Sequence, residues 1–152
     1  STFTVVLPVR RVPVAPLTLA SSGPEVPARL SRRARVLLID DEIIVLRTLQ
    51  RALEPHCDAV DALGGAAGLQ VLQTDAAFDA VLCDVMMPGV DGIAVHEGIL
   101  ARHPELARRV IFATGGAFTP RAKRFVDEVD NPVIEKPFSV AQLLEKIEVL
   151  LV

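Results

Sequence analysis

Several apolar runs in this chain close on residues able to do chemistry. "VLLID" ends on Asp40 with Asp41 behind it, "AVLCD" ends on Asp84, "VIFAT" on Thr114 and "PVIEK" on Lys136, which is followed by Pro137. Three carboxylates brought together repel one another and raise one another's pKa unless a cation joins them. The set therefore calls for a hard divalent ion. Mg²⁺ suits it, because it takes few protein oxygens, keeps several waters and shares its shell with phosphate oxygens. The lysine adds a fixed positive charge and the threonine a hydroxyl donor. Together they describe a site that receives a phosphoryl group, where the protein's work is mostly positioning and charge neutralisation.

Each residue also has a plainer reading. Asp40 and Asp41 could cap the helix that follows, Asp84 could bond to amides in the "MMPGVDG" turn, Thr114 with Gly115 and Gly116 could be only a turn, and Lys136 could be a solvated loop residue. The conjunction of all of them at strand ends, in this order, favours the chemical reading over coincidence.

The elements that must carry these residues follow from hydrophobic periodicity. "RVLLID" is a short β-branched and leucine run, after which "EIIVLRTLQRALEPH" places Ile43, Leu46, Leu49 and Leu53 at helical intervals up to Pro55. "CDAVDAL" alternates like a less buried strand, "GGAAGLQVLQTDA" reads as a small-residue helix, and "FDAVLCD" as a buried strand. "GIAVHEGILARH" is a helix expected to stop at Pro104, "RRVIFAT" a fourth strand, "TPRAKRFVDEV" a short helix, and "NPVIEK" a fifth strand. A last helix, "SVAQLLEKIEVLLV", has Ser139 as its expected N-cap. Five strands each followed by a helix imply an α/β fold, a doubly wound parallel sheet covered on both faces. In such sheets ligands gather beyond the carboxyl ends of the strands, which is where the acids, threonine and lysine fall.

Length and composition fit one soluble domain with a tail. At 152 residues, 51% hydrophobic and 23% charged, the chain is long enough for a sizeable core. It shows neither a membrane-spanning run nor a signal-peptide layout, so a cytoplasmic location is expected. Cys57 and Cys83 lack metal-ligand spacing and read as buried thiols. The net charge of −3 hides an asymmetry: residues 1–35 carry a balance of +5, and residues 36–152 a balance of −8. The first part also holds Pro8, Pro13, Pro16, Pro24 and Pro27, which favour extended, linker-like chain. The domain is thus expected to begin near Arg35. "RLSRRAR" has no interleaved aromatics and reads as a solvated linker rather than a nucleic-acid site.

With these residues in place, the sequence resembles the receiver domain of two-component response regulators. "LLIDDE", "DVMMPGVDG", "FATGGA" and "EKPF" match that family's four signatures in order, over about residues 35–152. The resemblance implies the flavodoxin-like strand order 2-1-3-4-5 and makes Asp84 the phosphoacceptor, taking its phosphoryl group from the phosphohistidine of a histidine kinase or a histidine phosphotransfer domain. It further implies that Mg²⁺ is held by Asp40, Asp41, Asp84 and the backbone carbonyl of Met86. Thr114 and Lys136 would contact the phosphoryl group, and the Lys136–Pro137 peptide would be cis. Such a domain catalyses only its own phosphorylation and dephosphorylation. It needs neither nucleic acid nor membrane, and weak self-association is open to it.

The chain departs from the family pattern at Val133. The family often has Tyr or Phe there, which moves with the threonine on activation, and this chain has no tyrosine. The conserved-type switch through Thr114 and an aromatic at 133 is therefore put in question, though phosphorylation is not. "STFTVVLP" alternates like a strand and looks like the last strand of the ATP-binding domain of histidine kinases. Residues 1–9 then read as a remnant of that domain, 10–34 as a Pro/Arg-rich linker and 35–152 as the receiver, from the C-terminal part of a hybrid histidine kinase whose parent could be membrane-associated. A haloacid dehalogenase type phosphatase would need a second acid at position 86, which is Met. The remaining rival is a pseudo-receiver that binds partners without phosphorylation. His56, His96 and His103 read as ordinary residues.

Overall fold

The computed structural model describes residues 29–116 and 118–152, so the strand expected at residues 1–9 and most of the expected linker lie outside the described residues. The elements in chain order are β1 (Ala34–Asp40), α1 (Ile43–Leu53), β2 (Cys57–Leu63), α2 (Gly65–Thr74), β3 (Ala80–Asp84), α3 (Gly92–Arg102), α4 (Pro104–Ala107), β4 (Val110–Thr114), α5 (Pro120–Glu128), β5 (Val133–Glu135) and α6 (Val140–Leu151). The five strands form one parallel sheet in the order β2-β1-β3-β4-β5. This is the doubly wound architecture that the strand and helix alternation predicts.

The sequence of the central strands explains their place. β3 and β4 are buried at every residue, and β1 at all but one. Side chains alternate across a strand, so each strand supplies both layers. Val36 and Leu38 join Leu82, Ile111 and the inner residues of α1 and α6, while Leu37 and Ile39 join Val81, Cys83, Phe112 and the inner residues of α2 and α3. Each such side chain fully buried contributes about 1.5–3 kcal/mol. β2, at the edge, is buried only at Cys57 and Ala62, with Ala59 and Val60 half-buried and the rest exposed, so the alternation its sequence suggests is only partial. Both cysteines are free and buried, and burial raises the Cys57 thiol to about 11.

Local signals set the helix boundaries. Ser139 caps α6 in a reciprocal capping box with Gln142, and Thr119 caps α5 ahead of Pro120 at its first turn. Two details depart from the periodicity. In α1 the buried stripe is Val45, Leu46, Leu49 and Leu53, and Ile43 is left 42% exposed in the first turn beside the acids. Pro104 ends α3 as expected but also opens the extra turn α4, because proline's fixed φ suits the first position of a new helix. Leu106 and Ala107 of that turn are buried and close the bottom of the α3 layer.

The turn after β3 is held by a close backbone approach. Gly92 N–H donates to the Val85 carbonyl at 3.0 Å. A Cβ at position 92 would lie 2.5 Å from the Asp84 carbonyl oxygen and 2.8 Å from Val85 Cα, both main-chain atoms that cannot swing aside. Gly92→Ala is therefore expected to cost about 2 kcal/mol and to lower Tm by roughly 4–8 °C. Thermal unfolding followed by circular dichroism measures this, and an unchanged Tm would mean that the turn shifts freely.

Candidate acidic site at the carboxyl edge of the sheet

The strand ends bring the predicted polar residues together. Asp40, Asp84 and Thr114 are the buried polar side chains of the described core, at 4%, 7% and 2% exposure, whereas Asp41 is exposed at the rim. Carboxylate oxygens of Asp40, Asp41 and Asp84 all lie within 4.8 Å of one another. Lys136 reaches into this group: its Nζ is 2.8 Å from Asp40 Oδ2 and 3.2 Å from Asp84 Oδ2. The lysine is placed by its backbone, since its N–H donates to the Thr114 carbonyl at 2.7 Å just past β5, and the Lys136–Pro137 peptide is cis.

The aspartates do not act as helix caps. Asp40 Oδ1 accepts from the Glu42 N–H at 2.9 Å, a local turn, and α1 has no side-chain cap. Asp84 Oδ1 accepts from the Met86 N–H at 3.2 Å, which turns the Met86 peptide around the acid. Each carboxylate thus uses one oxygen on a backbone amide and the other on the lysine.

The charges in this group are not balanced. Burial pushes the Asp84 carboxyl above its ordinary range; Lys136 and the Met86 amide pull the other way, and Asp40 adds repulsion. Lys136 is also raised: burial opposes its charge, but the bond to Asp40 and the two carboxylates outweigh it. A simple ion pair would lower the acid as it raised the lysine. Here the lysine is shared and lies closer to Asp40, so Asp84 receives less compensation than it needs. Three carboxylates against one ammonium, with hard oxygen donors clustered at one edge, is a set that fits a small divalent cation.

Some features were not visible in the sequence. Asp91 caps α3 by accepting from the Ala94 N–H at 2.8 Å and also pairs with Arg121 of α5 at 2.8 Å. An aspartate just ahead of a helix's first glycine was the available signal for the first role. His96 is no ordinary surface residue: its ring meets Phe112 and Phe125 edge-on, with centroids 5.5 and 5.8 Å apart, and Phe125 meets Phe112 at 5.0 Å. Burial there depresses its pKa. Val133 is in register with Phe112 and packs, half-buried, in the same cluster as Phe125. The aromatic mass next to position 133 thus comes from β4, α3 and α5 instead of β5.

Fold and site define an α/β domain with an acid pocket at the carboxyl edge of a parallel sheet. The response regulator receiver domain family matches residues 36–148, and the chain belongs to that family. Among its relatives, the sensor kinase CckA of Brucella abortus is 29% identical over 157 residues, covering 99% of this chain and 16% of that protein. The response regulator receiver protein CpdR of the same organism is 31% identical, covering 78% of this chain and 97% of its own length. The crystal structure of a response regulator receiver domain protein from Clostridium thermocellum superposes with a TM-score of 0.69 at 26% identity, over 78% of this chain and 94% of that one. The chain spans only 16% of CckA and 25% of the regulatory protein DctD of Rhizobium meliloti.

The raised Asp84 carboxyl has a consequence for stability. A carboxyl whose folded pKa lies above its unfolded value costs stability above that unfolded value, about 3.9, and the cost fades as pH falls below it. Without divalent ions at pH 7, Asp84→Asn is expected to raise stability by about 1 kcal/mol, or roughly 2–4 °C in Tm. The gain should shrink toward pH 4. Scanning calorimetry in chelator at both pH values checks this, and a lowered Tm at pH 7 would mean that Lys136 compensates Asp84 in full.

Proposed function

We propose that this domain takes a phosphoryl group from the phosphohistidine of a histidine kinase or histidine phosphotransfer domain onto Asp84. Asp84 Oδ2, released as Lys136 turns to the incoming group, would attack phosphorus, the phosphorus–nitrogen bond would break, and the histidine nitrogen would leave with its electron pair. The observation that carries this reading is the shared lysine: Lys136 Nζ lies within 3.2 Å of Asp84 in a pocket where two further carboxylates stand close by.

Asp40, Asp41, Asp84 and the Met86 carbonyl would hold Mg²⁺, which when bound neutralises the phosphoryl oxygens and draws them toward the acid. Lys136 carries its charge on a flexible four-carbon stem and would turn from the carboxylates to the incoming phosphoryl oxygens. Thr114, at the end of β4, would offer its hydroxyl to the same group. The retained acids and lysine speak against a pseudo-receiver.

The wider context is part of the same reading. The likeness to CckA extends over nearly the whole chain, which supports assigning residues 1–9 to the last strand of a kinase ATP-binding domain and 10–34 to a linker ahead of the receiver. The domain would then serve a hybrid histidine kinase at the cytoplasmic side, and none of the described helices is long and apolar enough to cross a membrane. With Val133 where an aromatic would rotate, the signal would pass from Thr114 with less help from β5.

Incubation with acetyl phosphate and Mg²⁺ followed by intact-mass measurement tests the proposal. The unaltered chain should gain the mass of one phosphate and Asp84→Asn none. Lys136→Met should be labelled about 100-fold more slowly, as expected when one positioned charge is removed from developing negative charge. Equal gain in Asp84→Asn would overturn the assignment.

A further inference from the structure

The basic run "RLSRRAR" is largely exposed, as its composition suggests, but from Leu30 onward it is tied to the domain. Arg32 forms a two-pronged pair with Asp79, one prong at 3.1 Å. Arg33 Nε donates to Asp58 at 2.7 Å, and its terminal nitrogen reaches the carbonyls of Glu54 and Cys57 at 3.2 and 3.3 Å. Arg35 pairs with Asp75 at 2.6 Å, donates to the Ala77 carbonyl at 3.2 Å, and lies over the Phe78 ring at 4.5 Å. Its backbone N–H donates to Asp79 at 2.8 Å, and the Ser31 N–H donates to Glu148 of α6 at 2.9 Å. Leu30 packs against the core cluster beneath α1 and α6.

These partners belong to separate parts of the fold. Asp58 is the second residue of β2, Asp75 and Asp79 lie in the connection between α2 and β3, and Glu148 is on α6. A short segment therefore straddles the edge at which the parallel strands begin, with one arginine for each of Asp58, Asp75 and Asp79 and the Ser31 amide for Glu148. Arg33 reaches toward β2 while Arg32 and Arg35 reach toward the connection between α2 and β3, so the run is held from both sides. A run bound at one point would only be tethered; a run bound to several elements has a fixed direction.

We propose that Leu30–Arg35 is an orienting clasp, which fixes where the preceding chain joins the domain, at the strand-start edge, and leaves the opposite, acidic edge open to a phosphoryl donor. The clasp is built from exposed ion pairs, each of which contributes little alone and weakens with salt, so its hold depends on their number. The clasp gives a place to three of the six arginines that make the first part of the chain basic, Arg32, Arg33 and Arg35.

Backbone ¹⁵N relaxation on the whole chain tests the clasp, with phosphate uptake measured on the same samples. In 0.1 M salt, residues 30–33 of the unaltered chain should be as rigid as the sheet. In Arg32→Gln/Arg33→Gln their heteronuclear NOE should fall to that of flexible chain, and amide exchange at Ser31 and Arg35 should quicken about tenfold. Salt at 1 M, where the screening length is about 3 Å, should loosen the unaltered chain in the same direction. Labelling of Asp84 by acetyl phosphate should stay within twofold in the variant. Residues 30–33 already flexible in 0.1 M salt, or as rigid in the variant as in the parent, would overturn the clasp. Failure of labelling in all samples would instead count against the function proposed for Asp84 and leave the relaxation result to decide the clasp.

Discussion

One ammonium group between two buried carboxylates organises the carboxyl edge of this molecule. Without Lys136, Asp40 and Asp84 would be like charges a few ångströms apart in a poorly hydrated crevice, a state that costs several kcal/mol or forces protonation. The fold supplies the lysine by main-chain means: a parallel pairing of β4 with β5, a Thr114 carbonyl that holds the Lys136 amide, and a strand short enough to end there. The acids in turn are set by the register of β1 against β3, whose buried runs allow no slip without moving every side chain to the wrong face.

The compensation is deliberately incomplete in its physical effect. A lysine that fully neutralised both acids would leave no charge for a divalent cation to balance. One that is shared, nearer to Asp40 than to Asp84, leaves the second acid under-compensated, with its carboxyl pushed up by burial.

Much of this was legible in the chain. Central strands are long enough in β-branched and leucine residues to read as buried on both faces, and the polar residues that end them could be placed at one edge by the parallel topology alone. The acid cluster and its lysine were legible because their chemistry is improbable by chance. The α4 turn was not, since a proline after a helix signals a stop and carries no sign of a restart. Nor was the burial of Val45 in place of Ile43, because one residue of helical phase decides it and the acid loop sets that phase. Composition misled most at "RLSRRAR", where pairing depends on aspartates more than twenty residues away. His96 was similarly invisible: only the packing of α5 over β4 turns a helix histidine into a partner for two rings.

That last cluster makes the molecule easy to observe. The chain has no tryptophan or tyrosine and six phenylalanines, so it absorbs weakly at 280 nm and offers no intrinsic fluorophore worth the name. The edge-on meeting of His96, Phe112 and Phe125 supplies another signal. Aromatic ring currents fall steeply with distance, and in each edge-on pair the protons at one ring's edge are shielded by the face of the other. A displacement of α5 by a fraction of an ångström relative to β4 would move those resonances, so the position of that helix is written into the proton spectrum without any label being added.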